Sequence, residues 1–215
     1  VGGEEGKRQA IEEAALERLK PLLENGDPVR EAGLSEDESK ILRGFQFLTQ
    51  KPLLLMVNAP ESALRSGGDP AAALRPFAER PMVRAAWMAA ESEMEIARLA
   101  PEERTEFLAD FGIEEPAASK TIRLSYDLLG LISFLTVGPD ECRAWTIRRG
   151  WTAPEAAGEI HSDLQRGFIR AEVCRWDDLL AAGSTAELKK HGKLRLEGKT
   201  YVVQDGDVMN ILFNV

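Results

Sequence analysis

One uninterrupted apolar run restricts the folds open to this chain. The run Leu53-Leu54-Leu55-Met56-Val57 lies between Pro52 and Asn58. A membrane-spanning helix needs about 20 apolar residues, so this run is far too short to cross a bilayer. A short apolar run bounded by turn residues is typical of a strand that is buried on both faces of a parallel sheet. The chain is therefore expected to contain a piece of an α/β sheet.

The residues after this run continue the α/β pattern. A linker rich in Gly, Pro and Ala covers 66–76, and a second short strand is predicted at 82–88. Helices are predicted at 92–99, 101–110 and 117–129. Because two strands cannot form a covered parallel sheet alone, we expect further strands upstream of this region.

Residues 1–50 predict a helical hairpin of the coiled-coil type. Ile11, Ala15 and Leu19 recur at helical spacing, and the turn residues at 25–28 end that helix. Ser35 and Glu38 have the spacing of a capping box, which marks the start of a second helix. The second apolar stripe consists of Leu34, Ile41, Phe45 and Leu48. We expect the two helices to pack antiparallel, stripe against stripe.

Residues 131–215 are rich in predicted strands. Strands at 132–137 and 142–147 flank the turn 138–141, and a helix is predicted at 153–165. The strand 168–176 alternates so that Ile169, Ala171 and Val173 face one side. Further short strands are predicted at 194–196, 201–203 and 208–213. A hairpin, a crossing helix and more strands form the β-grasp layout, so the predicted class of the whole chain is α+β.

The charge is distributed unevenly along the chain. The formal net charge is −9, but residues 1–130 contribute −8 and residues 131–215 only −1. The C-terminal region can therefore carry local basic surface. A basic stripe of the kind that dominates DNA-binding proteins is absent, so DNA is not an expected partner.

Composition excludes several other classes of protein. Cys142 and Cys174 are far apart, so neither a disulfide framework nor a zinc site is predicted. The first residues are acidic and lack an apolar stretch, so no secretory signal is visible. We therefore expect a cytoplasmic protein that does not bind membranes.

Three short strings resemble catalytic motifs without their context. Residues 198–200 match the end of a P-loop, but Lys193 stands where its first glycine should be, and a turn between strands is expected instead. Residues 110–112 spell a kinase triplet that we interpret as a helix end. His161 and His191 lack partners for catalysis or metal binding. No catalytic residue and no metal ligand are predicted.

The loop Asn58-Ala59-Pro60-Glu61 is the better candidate for a site. It follows the strand 53–57 directly, and open α/β sheets bind ligands at the carboxyl ends of their strands. GTPases place N-K-x-D there, with the Asn bracing neighbouring loops and the Asp reading guanine. In this chain the acidic residue is Glu61, and Ala59 replaces the Lys. Ala89 and Ala90, after the second strand, would be the partner segment whose backbone contacts the base; an ordinary loop is the alternative.

Long ordered strings resemble the YchF-type ATPases, of the Obg branch of translation-factor GTPases. In the C-terminal region these strings look like the TGS domain of that family, and they cover 143–147, 152–161, 166–173, 201–208 and 213–215. Earlier segments also match, at 42–44, 51–52, 58–61, 107–110 and 112–116. The resemblance thus spans nearly the whole chain.

The resemblance implies three parts and a nucleotide. The parts are a helical hairpin at 1–50, the C-terminal part of a P-loop-type nucleotide domain without its P-loop at 51–130, and a TGS domain at 131–215. The complete family protein binds ATP or GTP with Mg²⁺ and associates with ribosomes. The resemblance assigns recognition of the base to Asn58, Ala59 and Glu61, and contact with the base to the next loop, at Ala89 and Ala90. No P-loop and no switch region is present, so we expect only weak nucleotide binding by this chain, and no hydrolysis.

The chain is therefore expected to act as a binding module for structured RNA or the ribosome. Basic residues interspersed with tryptophans suit phosphate contact and base stacking. The candidate surface comprises Arg143, Arg148, Arg149, Lys189, Lys190 and Lys193. Two alternatives remain open at this point: an ATPase or GTPase whose phosphate-binding half lies in an upstream segment, and a purely protein–protein module that uses the helical hairpin.

Overall fold

The computed structural model describes residues 2–138 and 140–214. Val1, Pro139 and Val215 lie outside the described residues. Val1 belongs to the predicted hairpin domain, Pro139 to the predicted turn at 138–141, and Val215 to the segment 213–215 that resembles the TGS domain. The chain divides into two compact units, one up to Leu129 and one from Gly130 onward. Helices and strands both contribute, so the class is α+β, as predicted.

The first unit contains seven helices and two strands among its described residues. In chain order they are α1 Gly2–Glu24, α2 Glu36–Leu42, β1 Leu53–Asn58, α3 Ser62–Ser66, α4 Arg75–Ala78, β2 Val83–Met88, α5 Ala90–Ala97, α6 Pro101–Asp110 and α7 Ala117–Leu129. The strands β1 and β2 pair in parallel from Leu53 opposite Val83 to Asn58 opposite Met88. Both strands therefore end at the same edge, where a ligand site is expected.

The helical hairpin forms, but its second helix is shorter than predicted. The capping box is present: the Glu38 amide donates to Ser35 Oγ, and the Ser35 amide donates to the Glu38 carboxylate. The helix α2 ends at Leu42, because the chain then enters a 3-10 turn and Gln46 adopts a left-handed conformation with φ of 53°. Phe45 and Leu48 consequently lie outside the helix, 48% and 76% exposed, rather than in its apolar stripe. The hairpin core consists of Ala15, Leu19, Val29 and Leu42.

The strand β1 is less buried than its apolar sequence predicts. Residues Leu54 to Val57 are half-buried rather than buried on both faces. The reason is the small size of the sheet: among the described residues, β1 pairs with β2 alone, and α7 packs against both strands. A two-stranded layer leaves apolar side chains partly open to solvent.

The second unit is a β-grasp domain. Its elements are β3 Leu131–Val137, β4 Cys142–Arg148, α8 Ala153–Ile160, α9 Ser162–Arg166, β5 Phe168–Arg175, α10 Trp176–Ala182, α11 Thr185–Lys190, β6 Arg195–Glu197 and β7 Asp207–Phe213. The strand order is β4-β3-β7-β5-β6, with β3 and β7 parallel. The helix α8 packs on one face over a core that includes Phe134, Ile147 and Met209. On the opposite face, α10 and α11 pack near Cys174 and Leu188.

Three local predictions for this unit were wrong. The helix predicted at 153–165 is divided at His161, whose extended backbone (φ −164°, ψ 142°) ends α8 and begins α9. Ile169 does not face the side of Ala171 and Val173, because a register shift between Phe168 and Arg170 turns it outward, where it is 52% exposed. The segment 201–203 is not a strand but forms an isolated bridge between Val202 and Thr152.

The strings 198–200 and 110–112, which resemble catalytic motifs, form a turn and a helix end, as predicted. Residues 199–200 form a turn, and the Tyr201 amide donates to Gly198 O. The helix α6 ends at Asp110, and Gly112 follows with φ of 65°. Among the described residues, no helix has the length and apolarity that crossing a membrane requires.

Candidate functional site

The predicted base loop lies at the shared carboxyl edge of β1 and β2. Asn58 is the last residue of β1, and its side-chain Oδ1 accepts a hydrogen bond of 3.1 Å from the Ala90 amide. The Ala59 amide donates to Met88 O at 2.9 Å. The side chain of Asn58 and the backbone of Ala59 therefore tie the loop after β1 to the loop after β2.

The remaining base-loop residues differ in burial. Ala59 and Ala89 are buried, with 9% and 2% of their surface exposed, so they form the inner part of the edge. Ala90 begins α5 and is half-buried. Glu61 is exposed at the start of α3, and its carboxylate lies 3.5 Å from the Arg65 guanidinium. An exposed carboxylate can accept hydrogen bonds, and the Arg65 guanidinium is the donor beside it here.

A cleft of about 340 Å³ adjoins this edge, and its polar residues were not predicted as functional. Glu93 accepts a hydrogen bond from the Ala117 amide, at the first residue of α7. Lys120 donates to Trp87 O and lies 5.8 Å from the centre of the Trp87 ring. The Lys120 contacts hold α7 against the end of β2, and the Glu93 contact ties the start of α7 to α5. Glu93 and Lys120 could not be predicted from the sequence, because an isolated Glu and an isolated Lys look like ordinary charged surface residues.

In the second unit, Arg143 and Trp145 lie together on β4. The Arg143 guanidinium carbon stands 4.1 Å from the centre of the Trp145 ring, and Trp145 Nε1 donates to Thr136 Oγ1 at 2.9 Å. Trp145 lines a cleft of about 440 Å³ that also includes Ile160 and Phe213. Arg143 is exposed, so its outer face is accessible above an anchored indole.

The six predicted cations do not form one patch. Residues alternate between faces along a strand, so Arg148 lies on the face of β4 opposite to Arg143. Arg149 follows in the next turn and is exposed. Lys193 precedes β6, at the opposite sheet edge from β4, and pairs with Asp178. Lys189 and Lys190 end α11, and Lys190 pairs with Glu187.

A buried acid that the sequence analysis missed stabilises the loop before β7. Asp207 is fully buried, and its Oδ2 accepts hydrogen bonds from the Tyr201 hydroxyl (2.7 Å) and the Gln204 amide (2.9 Å). Arg195 donates to the Tyr201 hydroxyl and lies 3.6 Å from Asp207 Oδ1. Burial, together with the bond to Asp207, raises the pKa of Tyr201 to about 12. The cluster joins β6, the 198–206 loop and β7.

Neither histidine nor cysteine builds a reactive centre. His161 and His191 stand at helix ends with exposed side chains. Cys142 is exposed and Cys174 is buried, and burial raises the pKa of the Cys174 thiol. In the described part of the chain, no group of three potential metal ligands is present.

Comparison with known proteins shows which proteins this chain resembles. Residues 131–214 match the family YchF-GTPase_C, described as a protein of unknown function (DUF933). The chain is 43% identical over 211 residues to the "Ribosome-binding ATPase YchF" of Bacillus subtilis (strain 168), covering 97% of this chain and 58% of that protein. The chain belongs to the YchF-type proteins of the Obg family. The YchF protein of Escherichia coli O157:H7 is 41% identical and covers 100% of this chain and 58% of its own length.

More distant YchF-type relatives match over the same extent. "Obg-like ATPase 1" of Oryza sativa subsp. japonica is 38% identical over 97% of this chain and 53% of that protein. The solved structure of the Schizosaccharomyces pombe YchF GTPase superposes with a TM-score of 0.79 at 29% identity, covering 98% of this chain and 56% of that one. The chain therefore spans somewhat more than half the length of the YchF proteins it matches.

Proposed function

We propose that this chain is part of a ribosome-associated, nucleotide-binding protein, in which the first unit reads the base and the second unit binds structured RNA. The observation that carries the proposal is the Arg143–Trp145 pair, an exposed guanidinium stacked on an indole. The names of the bacterial relatives, which describe ribosome-binding ATPases, support it. We also infer a cytoplasmic location, because the proposed partner is the ribosome.

The base-reading role rests on Asn58 and Glu61. Asn58 accepts a hydrogen bond from the Ala90 amide and so braces the start of α5 at this edge. The longer Glu61 side chain replaces the aspartate that takes two hydrogen bonds from guanine, which favours adenine over guanine. We infer three parts, at 1–50, 51–130 and 131–215, with 51–130 carrying this edge.

Hydrolysis is not assigned to these 215 residues. Phosphoryl transfer needs backbone amides, a lysine and a metal-binding hydroxyl around the phosphates, and the sequence contains no G-x-x-x-x-G-K-[ST] string. In the complete protein, ATP or GTP with Mg²⁺ would be held by segments that carry those groups. Steady phosphate release by the purified chain above background would contradict this assignment.

Arg143 and Trp145 suit RNA for two physical reasons. A guanidinium supplies positive charge for phosphate oxygens and a planar face on which an unpaired base can stack. Trp145 fixes the orientation of that plane, because its own Nε1 is bonded to Thr136. Lys190, at the end of α11, and Lys193, before β6, are weaker candidates, since both already pair with carboxylates.

The direct test is RNA binding by single-charge variants. A fluorescently labelled ribosomal RNA hairpin with an unpaired loop should bind the full chain, and Arg143→Glu should weaken binding about tenfold. Arg170→Glu is the matched control, because Arg170 is also an exposed strand arginine of the second unit. Equal losses in both variants would indicate a nonspecific charge effect, and no loss in Arg143→Glu would remove Arg143 from the surface.

A further inference from the structure

The cleft that Trp145 lines combines an apolar interior with carboxylates. Its volume of about 440 Å³ falls within the range of roughly 300–1,000 Å³ that is typical of ligand pockets. Ile160 of α8 and Leu164 of α9 supply apolar lining. Among the described residues, the charged groups in the lining are the exposed side chains of Asp140 and Glu141. We call this pocket the Trp145 cleft.

Glu141 lies on the same side of the chain as Arg143. The Gly138 amide donates to Glu141 O at 2.8 Å, so the pairing of β3 with β4 continues as far as Glu141. Residues two positions apart along such a segment point to one face and are separated by about 7 Å. The Arg143 guanidinium stacks on Trp145, so a positive group borders the cleft beside the negative one.

Phe213 adds an aromatic ring at the acidic end of the cleft. It is the last residue of β7, it lines the cleft, and 48% of its surface is exposed. The strand β7 runs parallel to β3 with Val208 opposite Leu135, and continuing this register places Phe213 beside residues 140–141. Exposed aromatic rings are the platforms on which unpaired bases stack. The ring and the carboxylates are therefore available to the same ligand.

These groups fit one nucleotide with a particular base. A carboxylate can only accept hydrogen bonds, and guanine presents two adjacent donors on its Watson–Crick edge, the N1–H and the 2-amino group. Adenine, cytosine and uracil each present a single donor group on that edge. A cationic protein segment would also be attracted by the carboxylates, but Arg143 would repel it, whereas the same guanidinium attracts a phosphate.

We propose that the Trp145 cleft takes up one unpaired guanine of the bound RNA. The base stacks on Phe213, its Watson–Crick edge donates to Glu141, and its phosphate lies at Arg143. This inference rests on the proposed function, because it assigns a base preference to the RNA surface at Arg143 and Trp145. Phosphate contacts carry no sequence information by themselves, so the cleft is what gives this surface its selectivity.

Exchange of guanosine for inosine tests the assignment, because inosine lacks only the 2-amino group. Two labelled ribosomal RNA hairpins, identical except for one unpaired guanosine or inosine in the loop, are titrated into the full chain by fluorescence anisotropy. The guanosine hairpin should bind about tenfold more tightly, since the inosine hairpin lacks a hydrogen bond to a charged group. Glu141→Ala should bring the two affinities together. Glu159→Ala is the matched control, because Glu159 is an exposed acid of α8 outside the lining of the cleft.

A stacking variant completes the RNA experiment. Phe213→Leu keeps an apolar side chain and should weaken both hairpins about threefold or more, because the base loses its platform. The guanine assignment is overturned if the two hairpins bind equally well, if Glu141→Ala keeps the preference, or if Phe213→Leu leaves both affinities unchanged. Equal binding that still depends on Arg143 would leave the proposed function intact, whereas no binding of either hairpin would contradict both.

A basic protein segment is the rival occupant, and it is tested without RNA. A lysine-rich peptide is titrated into the full chain while the indole N–H resonance of Trp145 is followed by NMR. The guanine assignment predicts no shift with the peptide and a shift with the guanosine hairpin. A peptide-induced shift that disappears in Glu141→Ala but persists in Glu159→Ala would assign the cleft to a protein partner instead.

Discussion

At the scale of single residues, the buried carboxylate of Asp207 stabilises the end of the second unit only through its partners. Removing a charge from water costs free energy unless donors compensate it. Here the Tyr201 hydroxyl and the Gln204 amide supply hydrogen bonds, and Arg195 supplies positive charge. These four residues belong to β6, β7 and the loop between them, so one acid stabilises the end of the β-grasp domain.

The raised pKa of Tyr201 predicts a stability loss in alkali. The fold favours the neutral phenol, whose pKa moves from 10.0 to about 12. The stabilisation is therefore complete below pH 10 and is lost as the pH rises from 10 to about 12. Tyr201→Phe should lose about 1–3 kcal/mol at neutral pH, because Asp207 loses a donor. It should also lack this alkaline step.

Denaturant unfolding at several pH values, followed by tryptophan fluorescence, measures both effects. Tyr201→Phe and the unmodified chain should differ less at high pH than at neutral pH, since ionisation removes the same hydrogen bond in the unmodified chain. Parallel curves for the two proteins across pH 10 to 12 would show that Tyr201 does not titrate in this way.

The sequence predicted the contact made by Asn58 but not the burial of Asp207. The contact of Asn58 with the segment after β2 was expected because it begins an N-x-x-E string after an apolar strand, where GTPases use an Asn to brace neighbouring loops. Asp207 lies in an Asp-Gly-Asp string at 205–207, which is typical of turns, so the sequence gives no signal of its burial. Its burial depends on pairing with β5, whose Arg175 lies opposite Asp207 although the two are distant in sequence.

At the scale of elements, the hydrogen bond from Ala90 to Asn58 couples the ends of β1 and β2. Asn58→Ala should raise the hydrogen-exchange rate of the Ala90 amide about 2- to 10-fold, because the amide loses its acceptor. Asn58→Asp keeps an oxygen at this position and should exchange at nearly the original rate. The measurement is amide exchange by NMR on the full chain.

An unchanged Ala90 rate in Asn58→Ala would mean that the base loop is held by other contacts, such as the bond from Ala59 to Met88 O. The role of Asn58 would then be limited to the ligand itself. Exchange of amides in the second unit, for example that of Val203, serves as the internal reference, since its bond to Trp151 O lies in the other unit.

Element boundaries were predicted well where the signal is local and poorly where it is tertiary. Pro101 and Gly112 mark the limits of α6, and the observed helix begins at Pro101 and ends at Asp110. The break between α8 and α9 at His161 has no comparable local signal, because the apolar spacing over 153–165 is that of one helix. The imidazole Nδ1 accepts a hydrogen bond from the Asp163 amide and so begins α9. The outward turn of Ile169 arises from pairing with β7, which lies about forty residues later.

At the scale of the whole molecule, the two units differ in charge as well as in fold. The acidic excess belongs to residues 1–130, whereas residues 131–215 are nearly neutral. The fold class followed from the sequence. The grouping of the six cations did not, because composition does not reveal that β4 and β6 form opposite edges of the sheet.

The salt dependence of ribosome binding tests the proposed function most directly. The full chain should sediment with purified ribosomes at low salt, and its affinity should fall steadily as salt rises, because bound phosphates release counterions. The slope of log K against log salt should be smaller in magnitude by about 1 in Arg143→Glu than in the unmodified chain or in Arg170→Glu. Binding that does not depend on salt, or identical slopes in all three proteins, would contradict an RNA-binding surface centred on Arg143.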